Sequence, residues 1–417
     1  MDAIERHESE VRSYVRGFPV VFDRAEGHEL FDDTGKRYLD FFAGAGVLNY
    51  GHNHPALRKP LVEYIERAGI THSLDMASAA KVKFLERFHE TVLKPRGLDF
   101  KVQFPGPTGT NAVEAALKLA RKVKGRHNIV SFTNAFHGMT LGALAVTGNA
   151  FKRQGGGVPL TWGGTASLPF DGYLGDGVDT LGYLERLLED TSSGLDKPAA
   201  VIVEPVQAEG GVNVASPEWL KRLRAITKKH DVLLIADEIQ IGCGRSGNFF
   251  GFEQAGIDPD MVVLSKSLSG YGLPFAITLL RPELDKWAPG EHNGTFRGHN
   301  LAMITATAAL ENFWATKDFE TSVQKNAQLI RSRLEDYAKK HDALSVRGRG
   351  FMQGLVFPAK DQADHVSKEA FTRGLIIETA GALDNVLKLM PPLTTDEKAL
   401  NEGIDIVEKA ADAVLSR

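Results

Sequence analysis

Val232-Leu233-Leu234-Ile235-Ala236-Asp237 is an apolar run closed by a carboxylate, and Met261-Val262-Val263-Leu264-Ser265-Lys266 is a second run with an amine near its end. Runs this short and this continuously apolar suit strands covered on both faces, as in a parallel sheet between helical layers. Ala200-Val201-Ile202-Val203, followed by Glu204, is a third. Between the third and the first, Pro217 to Lys229 places Trp219, Leu220, Leu223 and Ile226 at helical spacing, with lysines and arginines opposite. That completes a strand, helix, strand unit. The same alternation from about residue 110 to 300 predicts an α/β fold with a mostly parallel central sheet.

Working outward, Asn111 to Lys124 reads as a further helix with Ala112, Ala115, Ala116, Leu119 and Val123 on its buried stripe. Beyond about residue 303, polar helical stretches such as Phe319 to Lys340 surround a weaker strand, Gly354-Leu355-Val356-Phe357, which suggests a smaller α+β domain. The stretches from Val20 to Gly27 and from Leu30 to Lys36 have hairpin chemistry with glycine at the turns. The first 45 residues are thus expected to be strands and turns. The divisions that follow are an N-terminal segment, 1–48, packing with the small domain, a large domain, 49–302, and the C-terminal small domain, 303–417. Gly155-Gly156-Gly157 and Gly163-Gly164 read as a mobile loop.

The 417 residues carry 49 Lys+Arg against 53 Asp+Glu, a net charge of −4, which gives no broad attraction for nucleic acid or anionic membrane. Cys243, the one cysteine, has no partner for a disulfide, and no Cys/His cluster suggests a metal. The polar, acidic start Met1-Asp2-Ala3-Ile4-Glu5-Arg6-His7-Glu8 lacks signal-peptide character, so a cytoplasmic protein is expected.

In open α/β sheets ligands bind beyond the carboxyl ends of the strands, which makes Glu204, Asp237 and Lys266 site candidates. Each taken singly more often marks where the chain meets water; together they are less easily dismissed. Pro107-Thr108-Gly109-Thr110-Asn111 leads into the helix from Asn111; its small residues and free N–H groups suit a phosphate, or it is a plain N-cap. No Walker lysine follows and no GxGxxG opens the unit, which disfavours nucleoside triphosphates and dinucleotides. Phe136-His137-Gly138, after Ile129-Val130-Ser131-Phe132, offers a ring that either stacks on a flat heteroaromatic ligand or packs in the core. Amine, carboxylate, phosphate donors and stacking ring together describe a site for pyridoxal 5'-phosphate.

The stretch Ala236-Asp237-Glu238-Ile239-Gln240-Ile241-Gly242-Cys243-Gly244-Arg245-Ser246-Gly247, followed by Leu264-Ser265-Lys266-Ser267-Leu268, resembles the signature of class III (omega-type) aminotransferases, which are fold type I pyridoxal phosphate enzymes. Gly51-His52-Asn53-His54-Pro55 and Ala112 to Arg121 resemble that family too, and the likeness spans essentially the whole chain. It implies a large domain with a mostly parallel sheet plus a small domain built from both chain ends. Lys266 would be the Schiff-base lysine and proton shuttle, and Asp237 the partner of the pyridine nitrogen. Gln240 would bond the ring hydroxyl, Phe136 would stack with His137 beside it, and Gly109 and Thr110 would hold the phosphate. Thr295 would reach that phosphate from a neighbouring subunit, implying a homodimer or higher homo-oligomer with shared sites. The partners implied are an amino donor and a 2-oxo acid.

Phe136 to Asn149, Ser267 to Pro274 and Pro289 to Gly298 look like the subgroup that moves the 4-amino group between L-2,4-diaminobutyrate and 2-oxoglutarate, as in ectoine synthesis. A diaminobutyrate transaminase or another omega-amine transaminase, acting on ornithine or 4-aminobutyrate, in siderophore or polyamine metabolism is the alternative. Two positions depart from the family. Met139 and Lys388 stand where many relatives carry carboxylate-binding arginines, and lysine offers a point charge instead of a planar fork. The resemblance makes Glu209 the counterpart of a glutamate that pairs with the C-terminal cation in one half-reaction and releases it in the other. A Glu209–Lys388 exchange is therefore expected, or else an inert surface pair contributing about 0–1 kcal/mol.

Overall fold

Seven strands form the central sheet of the computed structural model, which describes residues 2–156 and 164–416. Their order across the sheet is Lys101–Gln103, Ile277–Leu280, Met261–Leu264, Leu233–Asp237, Ala200–Val203, Ile129–Phe132 and Thr165–Leu168. Ile277–Leu280 runs antiparallel to both its neighbours, and the remaining adjacent pairs are parallel. Because successive side chains of a strand face opposite ways, the Ala200–Val203 strand divides its residues between two cores. Ala200 and Ile202 pack with Ala112, Val113 and Ala116 of the helix Gly109–Lys124. Val201 and Val203 pack with Leu220 and Leu223 of the helix Pro217–Lys229. Proline at the first position and Ser216, whose Oγ accepts from the Trp219 N–H at 3.3 Å, start that second helix.

The apolar run read as Val232 to Ala236 is paired one residue later, as Leu233–Asp237, and Asp237 still stands opposite Val263 in the ladder. The candidate acid is therefore held by the sheet itself.

At the N-terminus the helices Asp2–His7 and Tyr14–Gly17 precede the hairpin, where only strands and turns were expected. The strands Phe22–Glu26, Glu29–Asp32 and Arg37–Asp40 then form an antiparallel sheet, to which Leu375–Ile376 adds in parallel beside Arg37–Asp40. A second antiparallel sheet, ordered Ser345–Arg349, Met352–Val356, Val386–Leu389 and Glu378–Ala380, shares its core with the helices Asp318–Ala338, Gln362–Thr372 and Glu397–Leu415. The division expected at 302/303 falls inside the helix Asn300–Phe313. Ala302, Met303, Ala306, Leu310 and Trp314 all pack into the core of the large sheet. Gly155 and Gly156 follow the helix Ala150–Gln154, while Gly157 and Gly163 of the expected mobile loop lie outside the described residues.

Gly403, in the middle of Glu397–Leu415, lies against the buried ring of Phe41, where a Cβ would come within 2.1 Å of Cζ. Alanine there gains roughly 1 kcal/mol of helix propensity but overpacks a filled core at a cost of about 1–3 kcal/mol or more. Gly403→Ala is expected to lower the thermal unfolding midpoint; an unchanged or higher midpoint would show that Phe41 yields freely.

Candidate active site

One cavity opens where the carboxyl ends of Ala200–Val203 and Leu233–Asp237 meet the start of Gly109–Lys124 and the turn after Met261–Leu264. Gly109, Thr110, Phe136, His137, Asp237, Gln240 and Lys266 all line it, together with Glu204. Thr295 is exposed on its own chain, its carbonyl facing His72 Nε2 at 2.8 Å, and does not line this cavity. Met139 is also exposed.

Asp237 is buried, with Oδ1 accepting the Ile239 N–H at 3.1 Å and Oδ2 lying 2.7 Å from His137 Nδ1. A carboxylate partner places the imidazole proton on Nδ1, and Nε2, also buried, has no protein partner among the described residues. Glu204 Oε1 accepts the Phe136 N–H at 2.9 Å and so fixes the backbone of the candidate stacking ring. Burial first, and the neighbouring Asp237 charge second, push the Glu204 carboxyl well above the ordinary range, so the two acids do not both carry charge freely.

Lys266 takes φ +48°, a conformation costing a non-glycine residue on the order of 1–3 kcal/mol. The backbone is over-determined there: Ser265 Oγ donates to the Phe275 carbonyl and Ser267 Oγ donates to the Gly46 carbonyl, each at 2.8 Å. The amine donates to the Ala45 carbonyl at 2.9 Å. Burial, reinforced by the charge of Lys388 and opposed by Glu209, Glu378 and Asp237, brings its pKa down to about 8. A neutral, nucleophilic amine is thus accessible near neutrality.

At the other end of the cavity Thr108 donates from both its N–H (3.2 Å) and its hydroxyl (2.7 Å) to Asn111 Oδ1. This ties down the loop and leaves the N–H groups of Gly109 and Thr110 without an acceptor among the described residues. Gly138, at φ +131°, passes so close that a Cβ would sit 2.4 Å from Thr110 Oγ1. A free helix start, a hydroxyl, a ring, a strand-end acid and an amine of lowered pKa on one cavity form the donor set that pyridoxal phosphate requires, and these residues fit it.

Beside the cavity lies a charged cluster that the sequence disclosed only in part. Lys388 is fully buried, its ammonium donating to Glu209 Oε1 at 2.7 Å and touching Glu378 Oε1 at 3.0 Å, outside hydrogen-bond geometry. The surface-pair reading therefore fails. Glu378 stands directly across from Lys388 in the small-domain sheet, and its Oε2 accepts from the Tyr14 hydroxyl at 3.2 Å. Gln240 Nε2 donates to both Glu209 Oε1 (3.0 Å) and the Ala45 carbonyl (2.9 Å), which links the cluster to the carbonyl that holds Lys266. Burial would raise the Glu209 carboxyl, but Lys388 and then Lys266 outweigh it and hold it at about 2. Burial would lower Lys388; the two carboxylates prevail and raise it. For Glu378 burial dominates and its carboxyl is raised. Neither Glu378 nor Tyr14 belongs to a motif. The one available signal was an acid within the otherwise apolar run Leu375-Ile376-Ile377-Glu378, which announces a buried charge in need of a cation.

A family model described as Aminotransferase class-III matches residues 11–411. The chain is 55% identical over 417 residues, covering all of this chain and 97% of the other, to a diaminobutyrate--2-oxoglutarate transaminase of Halalkalibacterium halodurans. It is 56% identical over 413 residues to one of Streptomyces coelicolor, covering 98% of this chain and 97% of that one. Among solved structures, the ornithine aminotransferase of Toxoplasma gondii superposes with a TM-score of 0.86 at 27% identity, over 100% of this chain and 94% of that chain. Another structure of that enzyme reveals partial occupancy of PLP at its active site.

Proposed function

Because the chain belongs to the class III aminotransferases, which depend on pyridoxal phosphate, we propose that it moves the 4-amino group between L-2,4-diaminobutyrate and 2-oxoglutarate, the products being L-aspartate 4-semialdehyde and L-glutamate. The observation that carries this reading is the 55% identity, over the full length, to the H. halodurans transaminase. The pathway is ectoine biosynthesis, the compartment the cytoplasm, and the working form a homodimer in which Thr295 of a second copy completes the phosphate site. No helix among the described residues is long and apolar enough to cross a membrane. The reading is tested by supplying the purified protein with diaminobutyrate, ornithine, 4-aminobutyrate or putrescine together with 2-oxoglutarate, and measuring glutamate. A higher kcat/KM for any donor other than diaminobutyrate would overturn it.

When bound, pyridoxal phosphate supplies an aldehyde that takes up amines and a protonated ring that withdraws electrons from the bond broken at the reacting carbon. The chain does the rest. The first turn of Gly109–Lys124 would hold the phosphate by the Gly109 and Thr110 N–H groups and the Thr110 hydroxyl, Phe136 would stack on the ring and Gln240 would bond its hydroxyl. Asp237, steadied by His137, would keep a proton on the ring nitrogen. Lys266, with its amine near pKa 8, would anchor the group and serve as the base that carries the proton of the reacting carbon.

The two substrates ask opposite things of Lys388. Glutamate presents its amine beside a carboxylate, whereas diaminobutyrate presents a 4-amine with its carboxylate distant. Glu209 on Lys388 suits the second, and Glu209 displaced from it suits the first. Glu209→Ala is expected to shift the ratio of the two half-reaction rates towards glutamate by at least about tenfold, because breaking a buried pair is worth several kcal/mol. An unchanged ratio in single-turnover measurements would sink the exchange.

A further inference from the structure

Three groups form the buried cluster: Lys388 from the small-domain sheet, Glu378 on the strand paired with it, and Glu209 from the hairpin Val206–Val214 of the large domain. Their positions are not equivalent. Glu378 is fixed to Lys388 by strand register, with the two residues opposite each other in the ladder. Glu209 sits in the turn between two short strands and reaches Lys388 from another part of the fold. With Glu209 in place Lys388 has no exposed surface, so its ammonium depends on its carboxylate partners and not on water. A buried ammonium that loses its only counter-charge is strongly destabilised. Exchange of Glu209 for a substrate carboxylate therefore needs something to hold the ammonium while it happens.

We propose that Glu378 is a positioning residue for transamination: the standing counter-ion of Lys388, which lets Glu209 leave and a substrate carboxylate arrive without stranding a buried charge. This rests on the diaminobutyrate reading above. The geometry supports the division of labour. Glu378 is itself braced by the Tyr14 hydroxyl at 3.2 Å on its second oxygen, so it has a partner whichever carboxylate faces Lys388. Glu209 Oε1 does not depend on Lys388 alone, since it also accepts from Gln240 Nε2 at 3.0 Å. The contact of Glu378 with Lys388, at 3.0 Å, supplies a second negative charge beside the ammonium. The charged and titratable groups around Lys388 and its counter-ions include Tyr14, Lys266 and, beside Glu209, Glu204; Lys266 adds a positive charge that disfavours an unpaired Lys388 further.

Two measurements test this. In single turnovers of the holoenzyme, followed by the absorbance of the bound cofactor, Glu378→Gln is expected to slow the glutamate half-reaction relative to the diaminobutyrate half-reaction by about tenfold or more, with Glu378→Asp restoring most of the ratio. Thermal unfolding supplies a readout independent of turnover. The double variant Glu209→Ala/Glu378→Gln deprives Lys388 of both carboxylates, and its midpoint is expected to fall below the sum of the single-variant losses by an excess of about 5 °C. Equal effects of Glu378→Gln on both half-reactions, or additive losses in the double variant, would overturn the proposal. A wild-type protein that does not deaminate diaminobutyrate would instead overturn the reading beneath it.

Discussion

Lys266→Ala is expected to abolish turnover to within measurement, with a loss of at least about 10²–10⁴-fold from the missing proton carrier alone. In the proposed mechanism it removes both the amine that would take up the cofactor and the base that would move the proton. The absorbance of the lysine-bound cofactor is expected to vanish with it, while the fold persists, because the Lys266 side chain contributes a single bond, to the Ala45 carbonyl. A pH dependence accompanies this. The amine reacts only when neutral, and its pKa lies at about 8, below the usual lysine value. The rate at which the cofactor-free wild-type protein takes up pyridoxal phosphate is therefore expected to rise with pH up to about 8 and then level off. A plateau reached only near pH 10 or above would show that burial does not depress this amine. A Lys266→Ala protein retaining a tenth of the wild-type rate would remove Lys266 from the chemistry.

Asp237→Asn is expected to cost about 10²–10³-fold in turnover, the range for deleting one preorganised electrostatic contact at a developing charge. The amide oxygen of asparagine can keep the Ile239 N–H, and its NH2 can donate to His137 Nδ1 once the imidazole proton moves to Nε2, so the side chain keeps its shape while the negative charge is lost. In the proposed site, a ring nitrogen without that charge would give up its proton and the electron sink would weaken. The check is turnover alongside the pH titration of the bound cofactor's absorbance, which is expected to shift even where the melting temperature does not. Wild-type turnover in the asparagine variant would show that the acid serves the sheet and not the ring.

The central sheet was legible because its strands are too short and too apolar to be anything but doubly covered, as at Ala200–Val203 and Met261–Leu264, and because Ser216-Pro217 announces a helix start. Legibility failed where the information lay in pairing. Nothing local to Asp237 points to His137, a hundred positions earlier, and the two meet because parallel strands bring their carboxyl ends to one edge. Glu378 acquires its meaning only from the register that sets it opposite Lys388, and Tyr14 from a helix that composition gave no reason to expect. Where one core gives way to the other was illegible for a related reason: the apolar residues Ala302, Met303 and Ala306 do not say which of two cores they enter.

The parallel pairing of Leu39 with Leu375 joins positions 336 residues apart. At roughly 5–20 residues per second on the ribosome, the first three strands wait about 17–67 s with an open edge before the segment that closes it is made. The seven-stranded sheet, complete once Leu280 has emerged, is available for folding well before then. Nascent chains halted before residue 375 would thus carry a finished catalytic half and an unprotected β-edge, which makes the opening hairpin, and not the large core, the segment most in need of a chaperone during synthesis.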